Sequence, residues 1–181
     1  MSETDERLME ATVALHEATP SITLRDYQEA GVRWMMQQEA QSGGGLLGDD
    51  PGLGKTYQTL ALCADWQEGD DPTLIIVPSS IIQQWATAAR AIYGHFAVYL
   101  HHGKRRHAHL WEMPRCRIVI TSYGLLLHDG ALQEKRWGRA VLDEIHYIKN
   151  HTGKTAKKAY SLQAPLRWGL TGTPVQNRPK E

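Results

Sequence analysis

Hydrophobic and polar positions fall into short blocks along this chain, and blocks of two kinds alternate. Between Leu24 and Ala40, residues Tyr27, Gly31, Trp34 and Met35 return at helical spacing, which predicts an amphipathic helix. The string Thr73-Leu74-Ile75-Ile76-Val77 is almost continuously apolar, the pattern of a strand covered on both faces in a parallel sheet. Comparable short runs stand at Gly45–Leu47, Phe96–Leu100, Arg117–Thr121, Arg139–Asp143 and Arg167–Thr171. Helical stretches are expected between them at Tyr57–Leu62, from a serine cap after Pro78 to about Tyr93, and near Thr155–Leu162. About six strands separated by helices predict an α/β fold, a three-layer αβα sandwich on a mainly parallel sheet. Residues 1–21 read as an acidic lead-in, frayed or loosely helical and flexible, ahead of one domain over residues 22–181. There is no internal repeat and no low-complexity segment.

Two segments at strand ends carry chemistry. Gly52-Leu53-Gly54-Lys55-Thr56 is a glycine-rich turn ending in Lys-Thr, the form that directs backbone N–H groups into one anion-binding concavity. In such a loop the lysine reaches the outer phosphates and the threonine hydroxyl meets a magnesium ion. The strict form wants a glycine where Asp49 stands; here the glycine is one step earlier, at Gly48. Asp143-Glu144 closes an apolar strand and offers one carboxylate for the metal and one to orient water. Lys55 and Asp143 both follow strands, and sites in parallel sheets lie at the carboxyl ends of strands. ATP and magnesium are the expected ligands.

At 181 residues the chain is long enough to bury a core without staples, and 41% hydrophobic with 22% charged residues is ordinary for a globular domain. Cys63 and Cys116 sit in apolar surroundings, as core thiols of a reduced, intracellular protein do. The acidic start lacks the layout of a secretory signal, and no apolar run approaches membrane-spanning length. A soluble, unexported protein is expected, nuclear in a eukaryote and cytoplasmic otherwise. The net charge of zero conceals a split: residues 1–100 hold 5 Lys/Arg against 14 Asp/Glu, and residues 101–181 hold 15 against 6. That asymmetry points to a basic surface for a polyanion, unless the fold interleaves the halves. His101, His102, His107 and His109 flank Lys104-Arg105-Arg106; without cysteines or paired acids to complete a ligand set, a solvated basic loop is the expectation rather than zinc.

Further segments fall into an order. Leu24-Arg25-Asp26-Tyr27-Gln28 precedes the phosphate loop. Val77-Pro78-Ser79-Ser80 and Thr121-Ser122-Tyr123 lie between the loop and Asp143, and Leu170-Thr171-Gly172-Thr173-Pro174-Val175-Gln176-Asn177 closes the chain. With Trp34-Met35 and His146-Tyr147-Ile148-Lys149-Asn150, this order resembles the first motor lobe, RecA-like, of the Swi/Snf family of superfamily two double-stranded DNA translocases, over about residues 22–181. Trp34-Met35 and Trp137-Gly138-Arg139 lean faintly toward its post-replication repair branch.

The resemblance implies roles. Arg25 and Gln28 would serve the adenine, with the Gln28 amide reading its edge, and Gly52, Leu53, Gly54, Lys55 and Thr56 would cradle the phosphates. Thr56 and Asp143 would hold magnesium, and Glu144 would activate water. His146, Thr171, Thr173 and Gln176 would couple nucleotide state to DNA, and Ser79, Thr121, Ser122 and Lys149 would touch the phosphate backbone of double-stranded DNA without reading sequence. Three positions depart from the family: Pro51 for methionine, which removes a backbone donor; Asp50 for glutamate; and Ile145 for alanine or glycine. Family motors work between two lobes, and this chain is expected to stop at Glu181 short of the second, which would supply catalytic arginines. A lobe completed in cis or trans, a non-catalytic nucleotide- and DNA-binding module, and an unrelated small P-loop enzyme all remain open, the motif order disfavouring the last.

Overall fold

Apolar runs too short for helices and too continuous for one-sided strands must be covered on both faces, and they are. The computed structural model describes residues 3–18, 23–103 and 114–172, and its centre is one six-stranded sheet. The strands are β1 (Gly44–Leu47), β2 (Thr73–Val77), β3 (Val98–Leu100), β4 (Ile118–Ser122), β5 (Arg139–Leu142) and β6 (Leu166–Leu170). Their order is β1-β6-β5-β2-β4-β3, and every pairing is parallel. Central β2, β4 and β5 are buried at every position, which is why no polar alternation marks them in the sequence.

Helices cover both faces. Helices α1 (Glu3–Ala18), α2 (Asp26–Ser42), α3 (Lys55–Leu62) and α4 (Ile82–Tyr93) share one core with Ile75, Val77, Ile118, Ile120 and Trp168. On the other face, α5 (Tyr123–His128), α6 (Ala131–Glu134) and α7 (Lys154–Tyr160) enclose Leu74, Ile76, Val119, Leu126, Leu132 and Trp137. The parallel sandwich expected from the alternation is what the chain forms.

Several local readings shift. The lead-in forms helix α1: Leu8 is buried, Arg7 pairs with Asp65 on the 3-10 turn after α3, and Asp5 pairs with Arg33 of α2. In α2 the buried face is Gln28, Val32, Met35, Met36 and Glu39; Tyr27 and Trp34 are partly exposed instead. Trp34 still covers the sheet edge, edge-on to Trp168 at 5.5 Å. No serine hydroxyl caps α4: Ser79–Ile81 form a 3-10 turn that feeds straight into it. Phe96 stands outside β3, 91% exposed. His101 is buried, not solvated, with its Nε2 2.8 Å from Asp129 Oδ2; His107, His109 and Lys104-Arg105-Arg106 lie outside the described residues.

One buried network spans the layers. Arg139 of β5 donates from Nε and Nη2 to the two carboxylate oxygens of Glu39 at 2.5 and 2.7 Å, and Trp168 Nε1 donates to Glu39 Oε1 at 2.9 Å. Asp65 adds a second acceptor for Arg139 Nη2 at 3.3 Å. Helix α2 and strands β5 and β6 are thereby joined through one carboxylate.

Candidate functional site

The chain leaves β1 at Leu47, turns through Gly48–Leu53 and enters α3 at Lys55, with Gly54 as a left-handed N-cap at φ 79°. Gln28 braces this turn from α2. Its Oε1 accepts from the Arg25 amide at 2.9 Å and its Nε2 donates to the Leu53 carbonyl at 3.0 Å. The amide foreseen at the adenine edge thus holds the phosphate loop, while Arg25 is exposed at the start of α2. Lys55 Nζ donates to the carbonyls of Asp49 and Asp50 at 2.6 and 3.1 Å. Asp49, standing where the strict loop has glycine, accepts from Gln58 Nε2 at 2.9 Å. Gln58 is fully buried in α3, so the aspartate anchors the turn to the core.

The acid pair arrives from β5, two strands away. Asp143 is buried, and both carboxylate oxygens are engaged. Trp85 Nε1 of α4 donates to Oδ2 at 2.8 Å, and the Glu144 amide donates to Oδ1 at 2.9 Å. Glu144 is left-handed, at φ 52° and ψ 56°, the one described non-glycine residue with positive φ. Such strained backbone clusters at functional sites, and here it turns the Glu144 amide back onto its neighbour's carboxylate. Burial pushes the Asp143 carboxyl above the usual carboxylate range; the Trp85 and Glu144 donors and Lys55 pull the other way. The Glu144 carboxylate is half-exposed, 3.2 Å from His146 Nδ1.

Loop and acid pair open onto one cavity of about 750 Å³. Gly52, Gly54, Lys55 and Thr56 line it together with Asp143 and Glu144, and with Gln84 and Trp85 of α4. Those dimensions suit a nucleotide. Among the described residues lining it, Lys55 is the one cation. The donor set also suits magnesium: the Thr56 hydroxyl and Asp143 carboxylate share the cavity, and each carboxylate oxygen keeps a lone pair beyond the bond it accepts.

The segments foreseen to couple and to contact DNA separate into two groups. Ser79 is exposed just past the end of β2, and Lys149 is exposed at the end of the 3-10 turn Ile145–Ile148 that follows the acid pair. Thr121 and Ser122 are buried: Thr121 Oγ1 donates to the His101 carbonyl at 3.0 Å, and Ser122 Oγ accepts from the Leu125 amide at 3.4 Å as the cap of α5. Thr121 thereby ties β4 to the chain leaving β3, and Ser122 fixes the turn from β4 into α5. Thr171 is buried at the end of β6, its amide bonded to the Leu47 carbonyl at 3.1 Å. Thr173 and Gln176 lie outside the described residues. Pro51 packs against Gly172, where a Cβ would come within 2.7 Å of its ring, and Ile145 closes over Gly169. Trp137, singled out for the repair branch, is a core residue donating to the Leu132 carbonyl at 2.8 Å.

Sequence reasoning missed Trp85, Tyr123 and Gln58 as supports of the site. Helical spacing marks Trp85 as buried with Ile82, Ala86 and Ala89, yet no local pattern names a partner 58 residues away. Tyr123 donates its hydroxyl to the Asp143 carbonyl at 2.7 Å and stacks on Tyr147 at 4.7 Å.

Comparison with known proteins agrees with this geometry. Residues 27–181 match the family described as the SNF2-related domain. Helicase swr1 of Schizosaccharomyces pombe is 35% identical over 164 residues, covering 86% of this chain and 13% of that protein. Helicase domino of Drosophila melanogaster is 34% identical over 166 residues, covering 86% of the chain and 5% of the relative. Among solved structures, the Sulfolobus solfataricus SWI2/SNF2 ATPase core in complex with dsDNA superposes with a TM-score of 0.76 at 34% identity, covering 87% of this chain and 33% of that one. The chain therefore spans a small part of these relatives, about a third of the solved core and far less of the helicases. The match spans most of the chain, and the chain belongs to the SNF2-related domain family.

Proposed function

We propose that this chain is the ATP-binding first lobe of a Swi/Snf-type double-stranded DNA translocase, hydrolysing ATP in a DNA-coupled manner when a second lobe completes it. The observation that carries the reading is the convergence of Gly52–Thr56 and Asp143–Glu144 on one nucleotide-sized cavity. The dsDNA complex of the Sulfolobus solfataricus core supports the choice of polymer. Thr56 and Asp143 would hold magnesium, which when bound offsets charge on the transferring phosphoryl group. Lys55 exchanges the Asp49 and Asp50 carbonyls for phosphate oxygens. Gln28 exchanges the Leu53 carbonyl for the adenine edge. Glu144 takes a proton from the water whose oxygen bonds to the γ-phosphorus as the bond to the β-phosphate oxygen breaks, and ADP and phosphate leave. His146, beside Glu144, links this step to the DNA side. Ser79 and Lys149 contact the DNA backbone, alongside the lysines of α7.

With Lys55 the one described cation in the cavity, a non-catalytic nucleotide- and DNA-binding module is the second reading. Among the described residues, no helix is long and apolar enough to cross a membrane. The test is a titration of a fluorescent ATP analogue with magnesium into the wild type and Lys55→Ala. Losing a charge-assisted contact should weaken binding by about ten- to a hundredfold; equal affinities would refute the site. Double-stranded DNA should bind without sequence preference and progressively more weakly as salt rises, and a flat salt series would refute the DNA surface.

A further inference from the structure

A carboxylate that must hold a metal ion needs its orientation fixed, and in metal sites generally the groups behind the ligands do this. Asp143 has such a support in a place the reaction scheme does not use. Trp85 is buried in the first turn of α4, and its ring N–H, which can only donate, points at Asp143 Oδ2 at 2.8 Å. The bond crosses 58 residues of sequence and joins helix α4 to the segment after β5, both of which line the cavity. The Glu144 amide holds Oδ1 and the Tyr123 hydroxyl holds the Asp143 carbonyl, so backbone and carboxylate are held by separate donors. Trp85 is the side-chain donor among them that touches the carboxylate, and it comes from the helix that directly follows the exposed Ser79–Ile81 turn.

We propose that Trp85 is a positioning residue for the metal ligand: its indole N–H fixes the Asp143 carboxylate so that its outer lone pairs face Thr56 across the cavity, and it makes magnesium capture depend on where α4 sits. Without it, the carboxylate keeps one donor, the Glu144 amide on Oδ1, and can swing about that single bond, so the metal meets a ligand that must be ordered on binding. Metal-free nucleotide contacts, which rest on Lys55 and the loop amides, are untouched by that rotation. The inference rests on the nucleotide-site reading above.

The experiment separates the two. A fluorescent ATP analogue is titrated into the full chain in EDTA, and then magnesium is titrated into the nucleotide-loaded chain, for the wild type, Trp85→Phe and Trp85→His. In Trp85→Phe the nucleotide affinity in EDTA should stay within about twofold, while the magnesium concentration for half-effect rises about tenfold or more, the range expected when a support behind a metal ligand is lost. Trp85→His keeps a ring N–H and should recover part of the shift. A purely packing role would lower melting temperature and EDTA affinity together and leave the magnesium midpoint unmoved; that outcome overturns the proposal. Should Trp85→Phe fail to fold, the wild type decides by its indole N–H signals in ¹H–¹⁵N spectra, from six tryptophans. One must move when magnesium joins the nucleotide and stay still with nucleotide alone, and no such signal overturns the proposal. A wild type that binds no nucleotide overturns the site reading and this inference together, whereas magnesium-dependent binding that Trp85→Phe leaves unchanged overturns this inference alone.

Discussion

Glu144 occupies a backbone conformation that costs about 1–3 kcal/mol for a residue with a Cβ, and it spends its amide on Asp143 rather than on a helix. That geometry leaves its carboxylate half-exposed at the cavity and beside His146. A residue so placed contributes through its side-chain oxygen, not through packing. Glu144→Gln keeps the shape and the φ preference while removing the base. Nucleotide affinity should therefore stay within about twofold, while hydrolysis measured with the second lobe added as a separate polypeptide falls by about 10²–10⁴-fold. Parallel binding and phosphate-release assays check this, and unchanged turnover would assign the base elsewhere. The acid pair itself was legible in the sequence because an apolar strand leads straight into it. The left-handed turn was not, since nothing in Asp-Glu-Ile distinguishes it from a helical start.

Helices and strands were legible to the degree that their pattern is local. Continuous apolar runs named β2, β4 and β5, because strands covered on both faces carry no other signal. The α2 face was misread by one position, since Gln28 and Glu39 are polar residues with interior partners and Tyr27 and Trp34 are large apolar residues near the rim. Glu39 is the clearest case. A glutamate near the C-terminal end of a helix looks solvated until Arg139 arrives from a strand 100 residues on. Removing one partner of a buried, bidentate pair leaves an uncompensated charge and costs about 3–5 kcal/mol. Arg139→Met should therefore lower stability by that order in a denaturant melt, and the paired change Glu39→Gln with Arg139→Met should recover much of it. Equal melts for wild type and the single variant would show the pair to be dispensable to the α2–β5 contact.

At the scale of the whole molecule, the charge split of the sequence becomes a division of surfaces only in part. Asp65 and Glu39 from the acidic half are consumed by Arg7 and Arg139, whereas Lys149, Lys154 and Lys157 from the basic half remain at the surface. The thiols report how tightly both layers close. Burial pushes the Cys116 thiol up to about 11 and raises that of Cys63, so neither forms thiolate near neutrality. The native chain should resist alkylation at pH 8, with both thiols reacting once denaturant unfolds it. The sign for stability follows. A folded-state value above the ordinary 9.0 means the contribution of Cys116 is complete below pH 9 and is lost as pH climbs toward about 11. Partly buried Tyr93 and buried Tyr123 act in the same direction, each raised by burial. Chemical melts from pH 7 to 11 should show stability flat at first and then falling, and a flat curve to pH 11 would mean that these groups titrate alike folded and unfolded. The sheet order carries a mechanical consequence of its own. Because β6 lies between β1 and β5, its Gly169 bears on Ile145 of the acid segment, while Gly172, two residues past its end, bears on Pro51 of the glycine-rich turn. One short segment therefore shims both sides of the cleft: an added methyl at Gly169 would press on the acid segment and one at Gly172 on the turn before Lys55.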